Sequence, residues 1–327
     1  MSKLSDLPGN PSRPAFIFFP ELINLQGLSE PVRIGQHAVL QRAPDDIRVG
    51  LRGVLDPYLK TRRLSNVNPW EFQEIPGDQG ATYFKHILDP SLHQFWIVKY
   101  WRRLFDRQLE NALELADPGL TPAMALLSPS PDSSGSIDSH AILNWLDENW
   151  SAQRKDVCAA QVAGIERAMQ HLIDFNACDD STLAFVTKAI CEFSDLKRVS
   201  RRMPIYVVGL FSIIELLLTT QQDKTTENSL SHQLKEKLTL LGNRFTEPLV
   251  LTNYFPRAGS INFKSFVSKM YSYRSKVAHG SDIDFGKGDL MVLESHQAVC
   301  EFLRAIVRKL ILQAVQEPIL FRDLKSC

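Results

Sequence analysis

The segment MPIYVVGLFSIIELLLTT, residues 203 to 220, constrains this chain more than any other. It falls short of the roughly 20 apolar residues that a comfortable bilayer crossing needs, and it carries Glu215 near its middle. It therefore reads as a helix buried inside a helical domain, so the residues around it must supply the cover.

They do so in a series of helical patterns. Helices are expected near 157–175, 181–196 and 205–220, followed by helical segments over 229–249, 261–280 and 291–316. The last keeps Val299, Phe302, Leu303, Ile306, Leu310 and Val315 on one apolar face. SHAILNWLDENW, 139–150, opens on a capping Ser139 and reads as a further helix. Consecutive helices joined by short loops imply a bundle.

The first third differs. AFIFFPELINL, VRIGQHAVL and QFWIVKY are short runs rich in β-branched and aromatic residues, separated by Pro, Gly and Asn, and they read as strands. WRRLFDRQLENALELA, 101–116, then turns helical, with Leu104, Phe105, Leu109, Leu113 and Leu115 mostly at helical spacing. The stretch after it is dense in Pro, Ser and Gly and reads as a linker, most mobile over 128–136. The expected architecture is mainly α. A smaller N-terminal domain, mixed α/β or β-rich, spans 1–117, a linker spans 118–139, and a helical bundle spans 140–327.

Composition narrows the function. Lys plus Arg is 37 and Asp plus Glu is 37, which argues against a non-specific basic coat protein but leaves local patches open. Cys158, Cys178, Cys191, Cys300 and Cys327 are odd in number and form no CxxC pair, so neither paired-cysteine zinc nor a disulfide framework is expected. The histidines lack metal-ligand spacing, and no metal or cofactor is expected. Reduced thiols and an N-terminus without a signal-type apolar core point to a cytoplasmic protein with no membrane association. There is no GxxxxGK[ST] or GxGxxG loop and no GxSxG elbow.

The informative segment is Tyr271-Ser-Tyr-Arg-Ser-Lys-Val-Ala-His-Gly280. Phe263, Val267, Met270, Arg274 and Val277 lie along one stripe of its helix, so Arg274 falls on the face expected to be buried. A guanidinium there stays charged and needs either a carboxylate or an anionic ligand. Glu215, alone in the most apolar helix, needs a partner for the same reason unless it faces solvent at the bundle edge. His279 precedes Gly280, a common helix stop, and so sits at the helix end. Histidine carries protons near neutral pH, and arginine meets a phosphate that gains charge. Taken bare, the two residues also fit an exposed helix end with a capping histidine.

The string YRSKVAHG resembles the Arg-x4-His-Gly signature of HEPN ribonucleases, in particular the ApeA-like branch. SIIELLL, with Glu215, is similar to that branch's earlier apolar helix, and KLTLLGNRFTEPL, with Arg244, resembles its Leu-x-x-Arg helix. The resemblance covers about residues 200 to 316. It implies a HEPN-type bundle whose motif helices pair in a homodimer or a higher homo-oligomer. It also implies metal-independent cleavage of cellular RNA, with tRNA a candidate target, in antiphage defence or as a toxin. Arg274 and His279 would be catalytic, with Glu215, Ser275 and Arg244 in support. One position departs from the pattern: many active members carry Asn or Asp after the Arg, and this chain carries Ser275. The alternative is therefore a non-catalytic HEPN-type module that binds RNA or a protein partner. Lys197, Arg198, Arg201 and Arg202, together with Lys276, are candidate RNA contacts, the first four reading equally well as a solvated loop between helices.

Overall fold

A computed structural model describes residues 14–19, 22–36, 38–47, 72–76, 82–86, 96–101, 106–122, 124–126, 135–137, 154–178, 180–220, 230–245, 247–259 and 261–326. The chain divides into two compact units, Met1–Ile173 and Asp174–Cys327. The protein is mainly helical, with a β-sheet region in the first unit.

In the first unit the short apolar runs form strands. β1 (Pro14–Phe19), β3 (Val32–Ile34), β4 (Ala38–Arg42), β7 (Trp96–Trp101), β8 (Met124–Leu126) and β9 (Gly135–Ile137) build a six-stranded sheet in the order β3-β4-β7-β1-β8-β9. Its pairings are antiparallel, with Phe18 opposite Ile97 and Leu40 opposite Val98. Ala15 to Phe19 are all buried, so the central strand β1 is covered on both faces. β2 (Leu22–Leu25) pairs in parallel with β10 (Arg154–Val157), and β5 (Phe72–Pro76) pairs with β6 (Thr82–His86). Helix α1 (Asp106–Leu115) buries Leu109, Ala112, Leu113 and Leu115. Helix α2 (Ala159–Ala177) buries Val162, Ile165, Ala168 and Leu172, and its Glu166 carboxylate accepts the Gly35 N–H at 2.6 Å.

Two expectations need correction here. The stretch 118–139 is not simply a linker, because β8 and β9 pair with one another and β8 pairs with β1, extending the sheet. Met124-Ala-Leu126 is a short apolar run in sequence that pairs with β1 on one side and β9 on the other, which a count of Pro and Ser alone conceals. Nor is everything beyond 139 helical: Arg154–Val157 is a strand, and the boundary between the units falls at 173/174. The helix expected over 139–150 lies outside the described residues, as do residues 128–134 of the mobile stretch.

The second unit is a helical bundle. It comprises α3 (Ala184–Asp195), α4 (Ile205–Leu218), α5 (Leu230–Gly242), α6 (Phe263–Ala278), α7 (His296–Gln316) and α8 (Pro318–Ser326), with short 3₁₀ turns between several of them. α4 lies within the apolar segment of residues 203–220. It touches α3, α5, α6, α7 and α8, and it buries Tyr206, Val207, Leu210, Phe211, Ile213, Ile214, Leu217 and Leu218. Five neighbouring helices thus supply the cover that its sequence requires. Among the described residues, no helix is long and apolar enough to cross a membrane. Beside α4, Phe255, Phe266 and Phe302 form an aromatic cluster with ring centroids 4.7 to 5.7 Å apart, mostly edge to face. It fixes α6 against α7.

Candidate functional site

Helix α6 begins at Asn262, whose side chain accepts the Ser265 N–H at 2.8 Å. Its buried residues are Phe266, Val267, Met270 and Tyr273. That face is wider than the stripe read from the sequence, because α6 packs on α4 and α5 as well as on the 3₁₀ turn over Gly288–Leu293. Phe263 and Val277 are half-buried, and Arg274 stands at the edge of the face rather than in its middle.

Arg274 and Glu215 meet. An Nη of the guanidinium lies 3.5 Å from a Glu215 carboxylate oxygen, at side-chain exposures of 24% and 17%. The guanidinium also lies 5.7 Å from the centroid of the Tyr271 ring, which in turn packs edge-on against Phe211 of α4. The contact is long for a charge-assisted bond. Arg274 Nε and the second Glu215 oxygen are both buried and have no hydrogen-bond partner among the described residues. Burial pushes the Glu215 carboxyl above its ordinary range, and the Arg274 charge only partly opposes that shift. The two charges hold one another, but neither is fully satisfied.

His279 is the C-cap of α6. Its backbone N–H donates to the Ser275 carbonyl at 3.0 Å. Gly280 follows at φ +65°, its N–H donating to Val277 O at 3.2 Å, and the Ser281 N–H donates to Lys276 O at 2.9 Å. This pair of bonds is a Schellman termination, which needs the left-handed residue that glycine supplies cheaply. The imidazole is exposed and forms no hydrogen bond with a described residue. Ser275 and Lys276 are half-buried on the same last turns. Arg274, Ser275, Lys276 and His279 therefore share one helix end, fixed on one side to α4 and terminated by a defined turn.

Other expected residues lie apart. Arg244, just past α5, is paired with Glu317 beyond α7 at 3.0 Å, so its charge is spent on joining those two helix ends. Lys197 and Arg198 lie in the 3₁₀ turn after α3, and Arg198 pairs with Asp195 at 3.2 Å. Arg201 and Arg202 lie in the turn before α4, Arg202 exposed and Arg201 half-buried. Among the described residues, no group of three or more His, Cys, Asp or Glu is arranged to hold a metal ion.

One constellation escapes sequence reasoning. Tyr273, next to Arg274 but on the buried side, has its hydroxyl 2.7 Å from His296 Nδ1. His296 Nε2 lies 2.7 Å from the Arg201 carbonyl, and the Cys300 thiol also approaches that carbonyl, at 3.7 Å. A carbonyl can only accept, so in neutral His296 the Nε2 atom carries the proton and Nδ1 accepts from Tyr273. Burial, aided by Cys300, raises the Tyr273 pKa and keeps its hydroxyl protonated as that donor. His296 follows Glu294 by two residues, a spacing that signals nothing locally; its partners are 23 and 95 residues away.

Comparison with known proteins gives no match, whether against family models, curated proteins or solved structures.

Proposed function

We propose that this protein is a HEPN-type endoribonuclease that cleaves RNA in the cytoplasm without a metal ion, through Arg274 and His279. The observation that carries the reading is the end of α6. An arginine steadied by Glu215 at the edge of the bundle stands five residues before an exposed histidine, whose backbone a Schellman turn fixes. The arginine is anchored through one Nη, and the histidine is open to a ligand.

The chemistry follows from the side chains. The ribose 2′-hydroxyl gives up its proton to an imidazole and attacks the adjacent phosphorus. The 5′-oxygen takes a proton and leaves, giving a 2′,3′-cyclic phosphate and a 5′-hydroxyl. His279 carries the protons. Arg274 meets the charge that gathers on the phosphorane oxygens. One Arg and one His make a sparse site, and pairing of two α6 helices across a two-fold axis doubles both. The reading therefore includes a homodimer, or a higher homo-oligomer built on it, with α6 at the interface. Cellular RNA, tRNA among it, is the proposed substrate, and phage defence or a toxin role the proposed setting.

The test is total RNA incubated with purified protein in excess EDTA, with the new ends mapped. Cleavage to cyclic phosphates is expected from the wild type. Loss of a positioned acid or base costs about 10²–10⁴ in rate, so His279→Ala should be inactive, and Arg274→Ala should fall by roughly 10²–10³. Abolition by EDTA, or wild-type cleavage by His279→Ala, would refute the mechanism. A second reading rests on the Arg274–Glu215 pair itself: a guanidinium already facing a carboxylate suits a module that binds RNA without cutting it. Binding without cleavage would select that reading.

A further inference from the structure

We propose that Lys269 and Lys276 form a phosphate-binding subsite along α6, and that Asp289 fills it in the free protein as a displaceable stand-in for the RNA backbone. The inference rests on the nuclease reading above and adds to it a subsite and a brake.

The chain beyond the candidate site doubles back. It leaves α6 through the Schellman turn at Gly280. Phe285 then returns to Tyr273, the two rings edge to face with centroids 5.1 Å apart. Asp289 reaches further back, to Lys269, whose ammonium donates to its carboxylate at 2.8 Å. Residues 281–289 therefore form a strap that runs back along α6 from the His279 end. The far end of the strap is anchored: Leu290 is buried, and the Gly288–Leu293 turn packs on α6. The strap carries Asp282, Asp284 and Asp289 against a single lysine, Lys287. That lysine pairs with Asp284 at 3.3 Å, within the strap itself, and Asp289 turns to α6 instead.

On α6 the strap meets a row of positive charge. Lys269, Tyr273, Lys276 and His279 are four, three and three residues apart, so they line one side of the helix. The two lysines are separated by about 10.5 Å along the axis, yet both act on Asp289. Lys269, by its hydrogen bond and its charge, and Lys276, by its charge, hold that carboxyl below its ordinary range. Lys276 has no hydrogen bond or ion pair of its own among the described residues. Exposure separates the two sides of the contact. The Lys269 side chain is 27% exposed and held against the protein, whereas Asp289 is 83% exposed. A pair so open to water on one side is weak. An RNA backbone offers the same lysines a negative charge and, in addition, the release of its condensed counterions. Phosphate therefore displaces Asp289. Arg274 lies two residues before Lys276, about 200° round the helix, on the flank that meets Glu215 of α4. The lysine row extends the site along the other flank, and holds the strand beyond the phosphate that Arg274 and His279 engage.

Binding of a short 2′-O-methyl oligouridylate, which cannot be cleaved, is measured by fluorescence anisotropy at several salt concentrations, with cleavage of the unmodified oligonucleotide followed beside it. Asp289→Asn should bind about 1.5- to 5-fold more tightly, the change that corresponds to an exposed ion pair no longer broken. Lys269→Gln/Lys276→Gln keeps both side-chain stems and should weaken binding. Its salt slope should fall by roughly 1.4, at about 0.7 for each phosphate contact on a single strand. In that double variant Asp289→Asn should gain nothing, because the pair it frees no longer exists. A gain that persists without the lysines would be an effect of net charge alone and would overturn the inference. Unchanged binding by Asp289→Asn, or an unchanged slope without the lysines, would overturn it too. All three results leave the nuclease reading intact, since that reading stands or falls on cleavage by the wild type and its loss in His279→Ala. A lysine-dependent gain in a wild type that does not cleave supports the subsite and selects the binding module instead. A wild type that binds no RNA sinks both.

Discussion

Replacing Glu215 tests the central pair of the candidate site without touching the residues proposed to do chemistry. At 3.5 Å and an effective dielectric constant of about 20, two unit charges attract by roughly 5 kcal/mol before any cost is counted. Desolvation opposes this, and it wins at Glu215, whose carboxyl is pushed up by burial more than Arg274 pulls it down. Glu215→Ala leaves a partly buried guanidinium facing an apolar helix. The cost falls between the ~0.2–1 kcal/mol of an exposed pair and the ~3–5 kcal/mol of a fully buried one, hence about 1–3 kcal/mol. Glu215→Gln keeps shape and an acceptor for Arg274 but removes the charge that burial disfavours, so at pH 7 it should equal or exceed the wild type in stability. The pH dependence has a definite sign. A carboxyl raised in the folded state stabilises the protein below its unfolded value, and that stability is lost as pH rises through the folded value. The wild type should therefore lose ground to Glu215→Gln across the window from the ordinary carboxylate value upward, and then run parallel to it. All five tryptophans, 70, 96, 101, 145 and 150, lie in the first unit, so tryptophan fluorescence reports that unit only. Thermal unfolding of the helical unit is followed by far-ultraviolet circular dichroism instead. A loss of 2 kcal/mol would lower its Tm by roughly 4–8 °C. An alanine variant as stable as the wild type, or a glutamine variant as weak as the alanine one, would refute the reasoning.

Three further substitutions probe the frame that carries the site. Phe302→Ala opens the centre of the aromatic cluster against Phe255 and Phe266 and should cost about 3–5 kcal/mol by chemical unfolding. Gly280→Ala meets no atom within 4 Å, so only its φ of +65° is penalised; about 1 kcal/mol and a frayed last turn of α6 are expected by amide exchange. Asn262→Ala removes the cap at the other end of α6 and should cost about 1 kcal/mol, while Asn262→Asp should not.

Much of the helical unit was legible in the sequence because its signals are local. The apolar run with a single Glu dictates a central helix, and Gly280 marks the end of α6 one residue after His279. Even the Arg274–Glu215 contact follows from two charges that each lack an alternative on their own helix. Phe266 and Tyr273 fell outside the expected stripe because a helix touching several neighbours buries a broader face than one wheel line suggests. The Tyr273–His296–Arg201 bridge was illegible because its members are far apart in sequence and each is ordinary where it stands. β8 and β10 were missed for a related reason: three or four residues carry little periodicity, and only the partner strand makes them a sheet.

The Schellman end of α6 also ties the candidate site to temperature. His279 is the residue at which the helix stops, so its imidazole stays in place only while the last turn remains wound. One unwound turn would carry it by about 5.4 Å, more than a proton transfer tolerates. Helix ends open at far lower free energy than the core behind them. On the proposed nuclease reading, heating would therefore end RNA cleavage before the protein unfolds, while the bundle around α4 still gives its full helical signal.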